Sequence, residues 1–226
     1  MGYSLLRLYK YCKLDEWAFA NLARSTLYFN QFSKMNDPNE VLVHRRWASK
    51  IVRDESVLLC SFAEDNKSPL MWERYGNHFA GLCLRYEIPV QKSGGYLFNN
   101  DGDIGMYFRK VTYFEEEELV RRPLNDSEFQ AAALDVFSEK TKEWEQEMEY
   151  RSLLFTNDSN QGRIPHARPN NIRKEYLRSV AFGQNTNPAM TMAISTLVYN
   201  LYSAGVELTT VRFRAESMEL SPYLPG

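Results

Sequence analysis

The chain is short of cysteine, with only Cys12, Cys60 and Cys83 in 226 residues. Three scattered thiols build neither a disulfide framework nor a four-thiolate zinc site. Each lies beside apolar residues, so buried free thiols are expected, and with them a reducing compartment, the cytoplasm. Histidine is equally scarce: His44, His78 and His166 stand at no metal-ligand spacing from one another or from a cysteine, and no metal is expected. His78, in Asn77-His78-Phe79 ahead of a strand, reads as a capping or packing residue. An excess of one charge is missing too, since 27 Lys and Arg against 29 Asp and Glu leave −2. That balance argues against a broadly basic nucleic-acid binder but leaves room for a local basic groove. No apolar run approaches the roughly 18 residues of a spanning helix, so no membrane role is expected. The start, Met1-Gly2-Tyr3-Ser4-Leu5-Leu6-Arg7, has neither the apolar core nor the cleavage site of a signal peptide. Leu6 also stands where myristoylation wants Ser or Thr. The glycines at 94, 95, 102 and 105 match neither the Walker spacing nor the dinucleotide fingerprint, and no Gly-x-Ser-x-Gly elbow occurs. P-loop NTPases, Rossmann enzymes, hydrolases of that type and zinc enzymes are set aside.

What is present is ordinary globular material, 44% hydrophobic and 25% charged, long enough to bury a core unaided. The pattern mixes helix and strand, with no repeat and no compositional break. It predicts a single α+β domain over 1–226, with mixed or antiparallel strands and flanking helices. Strands are expected at Leu5–Tyr11, Thr26–Phe32, Val57–Phe62, Gly81–Ile88, Tyr107–Phe114, Tyr150–Phe155, Ser179–Phe182 and Val206–Phe213. Helices are expected from Asp15, from Ser68-Pro69 to Gly76, and from Asn187-Pro188 to Gly205. The last two start on an N-cap side chain followed by Pro. That final helix is expected to place Met190, Ile194, Leu197, Val198 and Leu201 on one face. A long helix is also expected from Ser127 to Met148 on the 3.6-residue period of Phe129, Ala133, Val136, Phe137 and Trp144. Lys92–Gly105 and Thr156–Asn171 read as loops, and Glu115–Glu118 as a solvated strand end or turn.

Three clusters could carry chemistry. Trp144-Glu145-Gln146-Glu147-Met148-Glu149-Tyr150-Arg151 places Glu147 and Glu149 two apart, on one face if the chain is already extended there. Paired carboxylates repel, which favours a cation, hydroxyl or arginine between them, and at a cleft edge they can stabilise an oxocarbenium ion. The second cluster is Lys10 and Tyr11 with Asn36, Asp37 and Glu40. Polar residues between aromatic strands could line a cleft, and Asn36-Asp37-Pro38 equally suits a turn. The third, Ser68 to Gly76, carries Trp72 and Tyr75, which could serve as core or as a stacking platform.

These clusters resemble the bacterial domain-of-unknown-function family 2971. The likeness runs through Leu8-Tyr9-Lys10-Tyr11, Leu27-Tyr28-Phe29, Asn36-Asp37-Pro38-Asn39-Glu40, Cys60-Ser61-Phe62, Leu70-Met71-Trp72-Glu73-Arg74-Tyr75, Gly81-Leu82-Cys83-Leu84, Val111-Thr112-Tyr113 and Lys142-x-Trp144-x-x-Glu147-x-Glu149-Tyr150-Arg151, with a looser Val180-Ala181-Phe182-Gly183. The order of signals is also similar to the ADP-ribosyltransferase superfamily and its split sheet. That resemblance implies an enzyme that cleaves NAD at the nicotinamide–ribose bond and passes ADP-ribose to a protein, a nucleic acid or water, with toxin or phage-defence roles. Glu149 would stabilise the oxocarbenium-like transition state, and Glu147 would orient or deprotonate the acceptor. Lys10 and Tyr11 would anchor the dinucleotide, Lys10 or Arg7 replacing the Arg or His of that pattern. Ser61 or Tyr75 would stand near the nicotinamide, and Trp72 or Tyr75 would stack on it. Two other classes compete. In a non-catalytic recognition module of a defence or stress system, Glu147 and Glu149 would hold Arg151 or Arg74 in an internal ion-pair network. An antitoxin or regulatory partner fits either class. In a nuclease, Asp37, Glu40, Glu147 and Glu149 would bind a divalent ion, but no local motif supports it.

Overall fold

The computed structural model describes residues 2–35, 57–93, 96–101, 105–121, 134–155, 168–202, 205–214 and 217–223. The chain forms two compact units. The first comprises Met1–Tyr3, Leu27–Ser61 and Val90–Asn170, and the second Ser4–Thr26, Phe62–Pro89 and Asn171–Gly226. The boundaries at 26/27, 61/62, 89/90 and 170/171 all fall within strands. No linker composition marks them, so the sequence carries no sign of the division.

The elements, in chain order, are β1 (Ser4–Cys12), α1 (Glu16–Arg24), β2 (Thr26–Gln31), β3 (Val57–Ala63), α2 (Pro69–Arg74), β4 (Leu82–Ser93), β5 (Tyr96–Asn99), β6 (Met106–Lys110), β7 (Thr112–Phe114), α3 (Glu116–Arg121), β8 (Glu139–Thr141), β9 (Glu149–Phe155), β10 (Arg168–Asn171), β11 (Leu177–Phe182), α4 (Pro188–Leu201), β12 (Glu207–Arg214) and β13 (Ser217–Pro222). The protein is α+β, with mostly antiparallel strands. Among the described residues no helix is long and apolar enough to cross a membrane.

Within the first unit the strands lie in the order β10, β2, β3, β9, β6, β5, and the end of β4 pairs with β5. Antiparallel pairing sets Asn30 opposite Leu59, Leu97 opposite Phe108, and Tyr107 and Arg109 opposite Leu153 and Arg151. A separate parallel pair joins β7 to β8. Phe32, Val57, Leu59, Leu134, Phe137 and Leu153 form the apolar core, with Phe32 and Phe137 edge to face at 4.8 Å.

Within the second unit β1 pairs with the end of β3 and with β4, β4 with β11 antiparallel, β11 with β12 parallel, and β12 with β13 antiparallel. The parallel pair needs a crossover, and α4 supplies it. Its N-cap Asn187 accepts from the N–H groups of Ala189 and Met190, with Pro188 at the first helical position. Thr191, Ile194 and Val198 are its buried residues, whereas Met190 is exposed, so the buried stripe is rotated from the expected one. Asp15 caps α1 through Ala18 N–H, and Ser68 caps α2 through Met71 N–H. Tyr11, Ala63, Met71, Trp72, Cys83, Ala181 and Val211 form the core.

The turn from α2 into β4 is unusual. Asn77, His78 and Phe79 have φ of 52°, 52° and 63°, three consecutive left-handed residues. Backbone bonds from His78 N–H to Glu73, Phe79 N–H to Trp72, Ala80 N–H to Asn77 and Gly81 N–H to Gly76 hold it. Asn185 donates to the carbonyls of His78 and Phe79. Gly183 packs so closely under the Phe79 carbonyl that a Cβ would collide with it. His78 neither caps nor packs; its ring is exposed, with Nδ1 2.6 Å from Glu73 Oε1.

Four other expectations are corrected. Tyr107–Phe114 is two strands: Val111 N–H still donates to the Glu149 carbonyl in register with β9, and from Thr112 on the chain pairs with β8 instead. The loop at Lys92–Gly105 contains β5, because Tyr96 and Phe98 find aromatic partners on Tyr107. The acidic run opens α3, where first-turn carboxylates suit the helix dipole. Residues 139–147, expected within one long helix, are β8 followed by a 3-10 turn, Lys142–Glu147. Burying Lys140 beside two carboxylates outweighs the helical period there. Residues 122–133 lie outside the described ones. β13, at the sheet edge, was not anticipated at all.

Candidate functional site

The motif singled out by its carboxylates sits where β8, the 3-10 turn and β9 meet. Met148 takes φ 43°, which ends the turn and starts β9 at Glu149. That bend brings Glu147 and Glu149 to the same cation although one closes a turn and the other opens a strand. Lys140 Nζ lies 2.7 Å from Glu147 Oε2 and 3.2 Å from Glu149 Oε2. It also stands 4.5 Å over the Trp144 ring. Arg151 grips Glu149 with both arms of its fork, Nε to Oε1 at 2.9 Å and Nη2 to Oε2 at 3.2 Å. Its Nη1 donates to the Phe137 carbonyl at 2.8 Å. The Glu149 N–H donates to the Tyr113 hydroxyl oxygen at 2.9 Å.

All four charged residues are enclosed, with exposures of 2% for Lys140, 3% for Glu147, 3% for Glu149 and none for Arg151. Two cations and two anions cancel. Burial alone would raise the Glu149 carboxyl, yet the Arg151 and Lys140 charges, with the Ser61 hydroxyl adding a smaller share, bring it down to about 2. Burial, first of all, pushes the Tyr113 phenol well above its usual range, and the neighbouring glutamates add to it. A carboxylate held so low is a weak general base at neutral pH, where a matched base would titrate near 7. It can still stabilise positive charge, provided a substrate atom reaches it. Its two oxygens offer about four acceptor sites. Arg151 and Lys140 take three of them.

The sequence-predicted residues divide as follows. Glu147, Glu149, Arg151 and Ser61 belong to the first unit and come together. Lys10, Tyr11, Trp72 and Tyr75 belong to the second unit. There the Tyr11 hydroxyl donates to the Asp65 carbonyl at 3.2 Å, and its ring meets Trp72 edge-on at 5.3 Å. Trp72 is fully buried and donates its Nε1–H to the Asn66 carbonyl. Lys10 Nζ lies 5.7 Å over the Phe62 ring, and Tyr75 packs against the core. Asn36, Asp37 and Glu40 lie outside the described residues. Lys140 and Tyr113 escaped the sequence reading. Seven residues of helix would carry Lys140 about 10 Å from Glu147 along the axis, so the expected helix hid the pair.

The chain matches no protein-family model, no curated protein and no solved structure.

Proposed function

We propose that the protein is a non-catalytic recognition module, of the kind that serves a defence or stress system. Glu147, Glu149, Lys140 and Arg151 are then its internal brace. The observation that supports this reading is the buried, neutral network: both carboxylates spend their charge on Lys140 and Arg151 inside the protein. Nicotinamide release from labelled NAD, for wild type and Glu149→Gln side by side, tests it. Neither protein should release nicotinamide, and millimolar NAD should leave the melting temperature unmoved. A ligand at 100-fold over its dissociation constant would add about 2.7 kcal/mol, well within reach of a melt. Release by the wild type, lost in a folded Glu149→Gln variant, overturns the proposal.

One observation favours a second reading. The Ser61 hydroxyl helps to hold the Glu149 charge, and the ADP-ribosyltransferase resemblance implies a serine and a late glutamate at one site. In that reading NAD is the substrate, Glu149 and Glu147 act on the ribose and the acceptor, and a protein or nucleic acid receives ADP-ribose. Label retained on a lysate component in the same experiment would name that acceptor.

A further inference from the structure

The second unit carries a cluster of arginines that the acidic network does not involve. β4 is flanked by β1 and β11. From its middle, Glu87 reaches both neighbours: Oε1 accepts from Arg7 Nε at 3.2 Å and stands 3.2 Å from Arg7 Nη2, and Oε2 stands 3.4 Å from Arg178 Nε. Arg85 lies two residues before Glu87 on β4, hence on the same face. Its Nη2 is 3.7 Å from Glu207 Oε2, too long for a firm bond, and its buried Nε finds no acceptor among the described residues. Three cations against Glu87 and Glu207 leave 3 − 2 = +1 here, on a chain whose total is −2.

We propose that Arg7, Arg85 and Arg178 form a binding site for phosphate-bearing ligands. Each guanidinium has five N–H donors in a planar fork suited to phosphate oxygens. Two carboxylates occupy only a few of these donors. The pairs themselves are weak competitors, because solvent screens ion pairs made by side chains this exposed; Arg7 is 62% exposed and Arg178 42%. A phosphoryl dianion offers more charge and more acceptor oxygens than either glutamate. Glu87 then orients Arg7 and Arg178, and Glu207 competes for Arg85. The phosphate can come from a small pyrophosphate compound or from the backbone of a nucleic-acid strand. The assignment is independent of whether Glu149 catalyses anything.

Two probes separate the sources: inorganic pyrophosphate followed by calorimetry, and a short labelled single-stranded oligonucleotide followed by anisotropy at low and physiological salt. At least one should bind saturably. The double variant Arg7→Gln/Arg178→Gln, at exposed positions that leave the melting temperature nearly unchanged, should weaken binding about 10-fold or more. Arg85→Lys keeps the charge, loses the fork and should also weaken it, whereas Glu207→Gln should tighten it. Pyrophosphate binding alone identifies a small ligand. Oligonucleotide binding, with a salt slope that drops by about one per arginine removed, identifies a strand. No binding of either probe, or binding that ignores the arginine variants, overturns the proposal.

Discussion

Two acids, a lysine and an arginine are buried together in the first unit, beside its apolar core; an indole, a phenol, a thiol and aliphatic side chains are buried together in the second. Both centres are equally closed to water, yet burial acts in opposite ways. It drives the Tyr11 phenol and the Cys83 thiol well above their usual ranges, which keeps both neutral. Glu149 meets the same burial and still falls to about 2, because Arg151 and Lys140 stand against it. Burial penalises charge, and the partner decides whether the group gives up its charge or keeps it. A core of the second kind resists loss of volume. A core of the first kind depends on every partner being present, since one removed cation leaves a buried charge uncompensated.

The sharpest way to break this comparison is to damage each centre once. Lys140→Met should cost about 3–5 kcal/mol at pH 7, as one half of a buried pair does. Trp72→Ala should cost a similar 3–5 kcal/mol through the cavity it leaves. Their pH responses should differ. The Lys140→Met penalty should shrink at acid pH, where protonation neutralises the excess buried negative charge, while the Trp72→Ala penalty should stay flat. Urea midpoints at pH 7 and pH 4 measure both. A pH-independent Lys140→Met penalty would mean that the lysine serves only by its bulk.

The wild type makes the next test. Glu149 titrates at about 2 when folded against 4.5 in its ordinary state. A lowered folded pKa stabilises above the unfolded value and ceases to do so as pH falls through the folded one. The expected loss is on the order of 3 kcal/mol between about pH 4.5 and pH 2. Acid titration of the unfolding free energy should lose that slope in Glu149→Gln. An unchanged slope would place the acid sensitivity elsewhere.

Local signals were legible where one short rule decides. Asp15, Ser68 and Asn187 each cap the helix they were expected to cap, and Val57–Ala63 and Glu149–Phe155 are strands nearly as read. Glu147 and Glu149 were legible as a pair, although the Met148 bend and not an extended chain brings them together, and Arg151 was one of two arginines offered as their partner. Lys140 was not legible, because its partnership depends on β8 and a 3-10 turn replacing a helix whose apolar period was plausible. The register between β7 and β8, which brings Tyr113 beside Lys140, is likewise a long-range pairing with no local trace. The left-handed Asn77-His78-Phe79 turn was hidden for the same reason. It is held by Asn185 and Gly183, over a hundred positions away in the chain.

That turn provides the smallest and most delicate test, for here the second unit holds three consecutive left-handed residues. Each left-handed residue costs about 1–2 kcal/mol. Asn tolerates the region best of the three, His next, and a bulky Phe least. Phe79 nevertheless offsets its conformation by meeting the Phe213 ring edge to face at 5.0 Å, so its ring cannot be removed cleanly. Asn77 is exposed, and Asn77→Gly relieves strain without disturbing a core contact. Glycine also frees the unfolded chain, which returns about 0.4–1 kcal/mol to the unfolded side. The net expectation is a gain from a few tenths to about 1 kcal/mol, read as a small rise in melting temperature. A clear fall instead would mean that Asn77 is relaxed in its left-handed conformation and that the turn's strain is concentrated at His78 and Phe79.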